Sequence, residues 1–367
     1  MSISVVEQGV PLSSVPRARR APGVDVVRAL ALVGVCFMNF YGYLITRGGQ
    51  RAAGLAGQVL DPGVGVLATR FAATFVVVAG MGVSLMARSG GSLSVLRWRL
   101  VRRGVLLFTF GFFFNWVWPG TILFFYGAFF VASALLVRLS SKRLATVAGV
   151  VVGLSSAVQS WAHARLAAGH SAAWLVVGRG ESDTSPRGLL LDVLVRGTHP
   201  VLPWLAFMCF GIYLGRLFPL VAASRKVLAL TSAGVVVGAY VLSALNFGPA
   251  WLRSTEPWDR GGLYVLSATG VALLAICAID GVAELCHNRW LVRVLATTGR
   301  MSLSVYVLHA LVFNLVVDVL RWVRPSGVGL AVVFAVVFWA FAVVVTNVVA
   351  SRWSSGPFEF VYRKFGG

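Results

Sequence analysis

Acidic residues are scarce in this sequence. Its 367 residues hold 12 Asp and Glu against 32 Lys and Arg, and charged residues of both signs make up only 12% of the chain. A soluble chain carries about 25% charge, so this balance argues against a soluble multidomain protein. Cysteine is also sparse. Cys36, Cys209, Cys277 and Cys286 form no Cys-x-x-Cys pair, and the first three fall within apolar runs. Neither a disulfide nor a metal site is expected from them. The chain lacks a P-loop, a dinucleotide-binding fingerprint, a nucleophile elbow and any sequence repeat. It lacks a basic domain as well. The net charge of +20 is scattered over short segments between apolar runs, so nucleic acid is not an expected partner.

What the sequence has in quantity is long apolar runs. Hydrophobic residues make up 58% of the chain, and mean hydropathy is +0.84. Segments long enough to span a bilayer recur from residue 26 to residue 350, which predicts an all-α, polytopic transmembrane helical bundle. We read about ten spans: 26–46, 66–87, 103–118, 120–138, 144–162, 199–218, 227–247, 262–280, 301–321 and 328–350. A basic tail (1–24) precedes a single transmembrane domain (25–350), and a short basic-aromatic tail (351–367) follows it. The first tail leads into a full span rather than a short apolar core, so no cleavable leader is expected. Basic residues gather in alternate loops, among them Arg97, Arg99, Lys142, Arg143, Arg289 and Arg293. That bias predicts both termini in the cytoplasm and a multi-pass protein of the cell membrane, with membrane lipid as its surroundings.

Few polar side chains interrupt the runs, and those few are the candidate functional residues. In TGRMSLSVYVLHALVF (298–313), Ser302, Tyr306, His309 and Phe313 share one helical face. His309 lies roughly 15 Å beyond Gly299, near the middle of a bilayer of ~30 Å. It either faces a polar path or bonds a neighbouring helix. In span 1, Asp25, Arg28 and Asn39 share a face; Asp25 and Arg28 either pair with each other or guard the cytoplasmic mouth. His199 precedes Pro200 and Pro203 at an outer helix start, where a neutral imidazole suits a general base; the alternative is an exposed loop residue. Asn115 and Tyr126 flank a Trp118-Pro119-Gly120 turn.

The loops carry weaker signals. The segment LSVLRWRLVRR (93–103) reads as an amphipathic stretch on the inner membrane surface, or as a landing site for a phosphate-rich cofactor. Residues 163–198, with an acidic patch at Glu181 and Asp183, read as an external loop carrying an interfacial or re-entrant helix. Trp251 and Trp258 read as interfacial anchors rather than a sugar site. Glu284 and His287, at i,i+3, need mean no more than solvation.

At four places the residues resemble a family. RAPGVDVVRALALVGVCFMNF, GTHPVLPWLAFMCFGIYLGR, TGRMSLSVYVLHALVF and SSGPFEFVYRKF are similar to segments of YeiB-like and heparan-alpha-glucosaminide N-acetyltransferase-like bacterial membrane proteins. The resemblance implies a transmembrane acyltransferase. Such a protein moves an acyl group, with acetyl as the expected one, from cytosolic acyl-CoA to an acceptor hydroxyl or amine on the far side. The acceptor classes it leaves open are small molecules, lipids and envelope glycans, and a homodimer is also open. On this basis Arg28, Arg102, Arg103 and Arg300 are expected to bind the acyl-CoA donor. His199, His309, Asn39 and Tyr306 are the catalytic candidates, and Asp25, Ser302, Asn115 and Tyr126 are expected along the tunnel. Two departures stand out: residues 47–65 lack the histidine of the eukaryotic enzyme, and Thr121 stands where many relatives have an acid. A transporter or flippase, and an intramembrane enzyme that acts on a lipid-soluble substrate without CoA, are the alternatives.

Overall fold

A computed structural model describes residues 22–88, 91–172, 175, 185–245, 247–286 and 289–367. Most of the N-terminal tail, the patch at Glu181 and Asp183, and His287 lie outside the described residues. Fifteen helices follow in chain order: α1 (Pro22–Thr46), α2 (Gly54–Leu60), α3 (Arg70–Arg88), α4 (Leu93–Phe114), α5 (Leu123–Leu136), α6 (Ser141–Ala167), α7 (Pro186–Leu191) and α8 (Val201–Ala223). The series continues with α9 (Arg225–Ala244), α10 (Ala250–Arg253), α11 (Gly262–Leu285), α12 (Trp290–Arg300), α13 (Ser302–Phe313), α14 (Val328–Arg352) and α15 (Pro357–Gly366). No strand occurs among the described residues.

Among the described residues seven segments are long and apolar enough to cross a membrane, one of them α13 continued by a π-helical turn (Asn314–Val319), or eight if a bent pair is one span. The bent pair joins 186–196 to 201–217 at 54°. Its first arm is α7 continued by a π-helical turn (Asp192–Arg196), and its break holds Gly197–Pro200. The interfacial or re-entrant helix expected within 163–198 falls on the first arm of this pair. Ser185 caps that arm by accepting from Gly188 N at 3.0 Å, with Pro186 in the first turn, where its missing N–H costs nothing.

The segment 93–103 does not lie apart as a surface helix. It runs without a break into α4, because no residue between Ser92, the N-cap, and Phe114 stops a helix. Gly104 within it meets Gly127 of α5: a β-carbon at Gly104 would stand 2.7 Å from the Gly127 carbonyl. The same device joins α3 to α8, where a β-carbon at Gly80 would lie 2.6 Å from Met208 O and 2.9 Å from the Gly211 Cα. Backbone contact of this kind replaces the hydrophobic drive that a lipid surrounding removes.

The core sits where α1, α3, α5, α8 and α13 converge. Phe40, Phe125, Phe129, Phe207, Phe313, Trp118 and Trp204 are fully buried there. Around them α6, α9 and α14 turn much of their surface outward, with Val235, Val237, Val333, Val336 and Val344 exposed. Outward-facing valines are what a lipid-facing helix requires. The loops after α9 pack inward instead: Trp251 stacks on His163 at 4.2 Å, and Trp258 donates Nε1–H to Gly63 O at 2.8 Å.

Candidate functional site

Helices α1, α3, α4, α5, α13 and α15 enclose a chamber of about 2000 Å³ that runs from one end of the bundle to the other. A ligand pocket is usually about 300–1,000 Å³, so the chamber has room for an extended molecule. It has a cationic end, an apolar middle and a charge-balanced end.

Three of the family-like segments meet at the cationic end. A β-carbon at Gly299 would collide with the Asp25 carbonyl, so glycine there lets α12 seat against the start of α1. Glu359 of α15 lies over the start of α13. Its Oε1 accepts from Leu303 N at 2.7 Å and Ser304 N at 3.0 Å, and its Oε2 accepts from Ser304 Oγ at 2.5 Å. It satisfies free N–H groups of the helix start and meets the positive end of the helix dipole.

Six arginines line this end, Arg28, Arg88, Arg99, Arg103, Arg300 and Arg363, against two carboxylates, Asp25 and Glu359. Arg28 donates to Asp25 Oδ1 at 3.1 Å, so the pair forms and also lines the chamber. Arg300 donates to Thr297 Oγ1 at 2.9 Å, and Arg88 to the Arg216 carbonyl. Arg103 packs 5.0 Å over the Tyr362 ring and approaches Met86 Sδ at 2.8 Å. Burial first, moderated by the nearby Arg103 charge, pushes the Tyr362 phenol up to about 12. Among the described residues, neither Arg99 nor Arg103 has a carboxylate partner. Arg102 does not line the chamber; its guanidinium lies beside the terminal Gly367.

In the middle, Leu32 and Val35 of α1, Phe71, Phe75 and Ala79 of α3, and Leu123 and Phe130 of α5 form the wall. Asn39, Tyr126 and Tyr306 are the polar groups among them, and Ser302 stands at the start of α13 beside the cationic end. Tyr306 OH pairs with Thr121 Oγ1 at 3.1 Å and accepts from Ile122 N at 3.2 Å. His309 is fully buried behind this wall and does not line the chamber. Its Nε2 accepts from Asn39 Nδ2 at 3.0 Å, and its Nδ1 meets the Tyr306 carbonyl. Trp118, at 5.1 Å between ring centres, and Phe40, at 5.7 Å, enclose the imidazole. With both nitrogens engaged, His309 bonds α13 to α1 as structural glue.

At the other end, arginine charge is matched. Arg47 pairs with Asp318 through bonds of 2.5 and 2.6 Å, and Arg51 pairs with Asp61. Burial raises the Asp61 carboxyl, but Arg51 and the Gly63 and Val64 amides outweigh it and hold the group below the ordinary carboxylate range. His199 lies here, in the break of the bent pair. Its Nδ1 pairs with Thr198 Oγ1 at 2.9 Å, and its ring rests edge-on to Trp204, 4.5 Å between centres. No hydrogen bond to its Nε2 occurs among the described residues. Arg260 stands behind the break and donates to the carbonyls of Arg196 and Gly197 at 2.9 and 2.7 Å. Burial lowers its guanidinium to about 10, so it remains charged at neutral pH.

Asn115 is placed away from the chamber. Its Oδ1 accepts from Gly120 N at 2.9 Å and shapes the turn before α5, where Gly120 takes a φ of +79°. The chamber therefore gathers His199, Asn39, Tyr306, Arg28, Arg103, Arg300, Asp25, Ser302 and Tyr126, and leaves out His309, Arg102 and Asn115. Arg99 was read only within the segment 93–103 and Trp258 only as an interfacial anchor, while Glu359 and Tyr362 were not named as site residues. Glu359 had a signal, as the lone acid of SRWSSGPFEFVYRKFGG. Among the described residues no three His, Cys, Asp or Glu side chains cluster as metal ligands.

A family model matches part of this geometry. Residues 215–366 match the family described as a protein of unknown function (DUF418). The match is consistent with a YeiB-like membrane protein. It takes in Arg300, Ser302, Tyr306, His309 and Glu359, and stops short of Arg28, Asn39 and His199. No curated protein matches the chain.

Proposed function

We propose that this protein is an integral membrane acyltransferase that moves an acyl group from cytosolic acyl-CoA to a hydroxyl or amine acceptor on the far side. One observation carries the reading: the chamber has uncompensated arginines at one end and a histidine with an uncommitted nitrogen at the other. The cationic end is then the cytoplasmic mouth. The seven clear spans, the bent pair, and the α4–α5 hairpin make ten crossings, with both termini on that side. Arg99 and Arg103 meet the CoA phosphates, since guanidinium groups without carboxylate partners are free to pair with them. The pantetheine arm extends into the apolar middle.

His199 acts as general base at the far end. Its Nε2 takes the acceptor's proton as the acceptor oxygen or nitrogen bonds to the thioester carbonyl carbon. The C–S bond then breaks, and CoA leaves as its thiol after taking up a proton. Thr198 holds the ring through Nδ1, which leaves Nε2 for this transfer.

The test is His199→Ala in purified protein. Turnover with acetyl-CoA is expected to fall by about 10²–10⁴-fold, with acetyl-CoA affinity retained, because a general base contributes that much to rate and nothing to donor binding. Unchanged turnover would remove His199 from the mechanism. A transport path is the second reading, because a conduit also needs a chamber lined from one end of the bundle to the other. Acceptor-dependent release of CoA thiol separates the two.

A further inference from the structure

The Tyr126 hydroxyl has no use in the packing of the protein. Tyr126 is 5% exposed, its oxygen is buried, and no hydrogen-bond partner reaches it among the described residues. A buried hydroxyl without a partner is costly, and Phe would fill the same space without that cost. The Arg28 charge and the Tyr306 phenol are near enough to act on it electrostatically, but neither bonds it, and its ring neighbours are apolar. Phe75 lies 5.8 Å and Phe129 6.0 Å away between ring centres. On α5 the chamber-facing stripe is Leu123, Tyr126 and Phe130, so Tyr126 is its one polar member. Tyr126 lies four residues beyond Ile122, the N-cap of α5, roughly 6 Å of helix toward the cationic end. It shares the chamber wall with Leu123 and Phe130.

We infer that Tyr126 is a ligand-binding residue whose hydroxyl hydrogen-bonds a neutral polar group, an amide or thioester carbonyl, of the molecule that occupies the chamber. A single neutral donor in an apolar wall suits a carbonyl better than a phosphate, which needs charge, or an alkyl chain, which needs none. The inference rests on the acyl-CoA reading, because the pantetheine arm carries two amides and ends in the thioester.

Tyr126→Phe tests it, with acetyl-CoA and adenosine 3′,5′-bisphosphate as probes on purified full-length protein. The bisphosphate has the phosphates of CoA but no pantetheine arm. The expected result is acetyl-CoA affinity about 3- to 10-fold weaker, bisphosphate affinity unchanged, and thermal stability equal or higher, since an unpaired buried hydroxyl has been removed. Equal acetyl-CoA affinity in the variant and the parent overturns this role and leaves the acyl-CoA reading standing. A lower melting temperature, or failure to fold, also overturns it, because the hydroxyl then has a structural partner. If the parent protein binds neither probe, the acyl-CoA reading falls and takes this role with it.

Discussion

His309 is the residue at which composition and geometry part. Its depth in an apolar run made it a candidate for a polar path, yet both its nitrogens are committed, to Asn39 and to the Tyr306 carbonyl. His309→Ala is expected to lower stability by about 2–4 kcal/mol, from a cavity plus two buried groups left unpaired. His309→Gln offers an acceptor to Asn39 and a donor to the carbonyl. Its cost should be smaller, with acetyl-CoA affinity within about twofold of the parent. Thermal unfolding and a binding titration read both effects. A well-folded Gln variant that has lost acetyl-CoA binding would return His309 to the ligand path. The sequence left a bond to a neighbouring helix open but could not name Asn39, which lies on α1, 270 positions away; the Tyr306 carbonyl is local, three residues before the histidine. Asn39 was legible as a polar group on the right face; its pairing was not.

At the scale of the elements, hydrophobic periodicity located most helices, and failed where charge or brevity masked them. Helix α4 carries Arg97, Arg99, Arg102 and Arg103 in its first half, which reads as a surface segment until the partner helix α5 is seen against Gly104. The bend at Gly197–Pro200 was foreshadowed by two prolines, but its 54° angle depends on what packs behind it, including Arg260. Helix α15 is the clearest case of an element whose purpose lies in a contact. Glu359→Ala should leave Leu303 N, Ser304 N and the Ser304 hydroxyl without their acceptor. The expected loss is about 1–3 kcal/mol, with faster proteolysis near Ser354 as α15 comes away. Glu359→Gln keeps one oxygen as an acceptor and should fall between. Unchanged stability and protease resistance in the Ala variant would mean that α15 is held by its aromatic face alone.

For the whole molecule, the membrane class could be read from composition, since long apolar runs with few charges admit no other solution than spanning helices. The chamber could not, because its walls come from helices distant in sequence that only packing brings together. Nor could the sorting of its arginines. Sequence alone paired Arg102 with Arg103 as phosphate ligands; the fold turns Arg103 inward with Arg99 and leaves Arg102 beside Gly367. The central claim is that this cationic end receives acyl-CoA. The most direct measurement is the binding isotherm of acetyl-CoA on purified protein in lipid nanodiscs, for the parent, Arg99→Gln/Arg103→Gln and Arg102→Gln. The account predicts saturable binding that free CoA displaces. The double variant should weaken it about tenfold or more, since charge-assisted bonds contribute about 1.5–3 kcal/mol, and Arg102→Gln should leave it nearly unchanged. No saturable binding by the parent, or equal binding by the double variant, would contradict it.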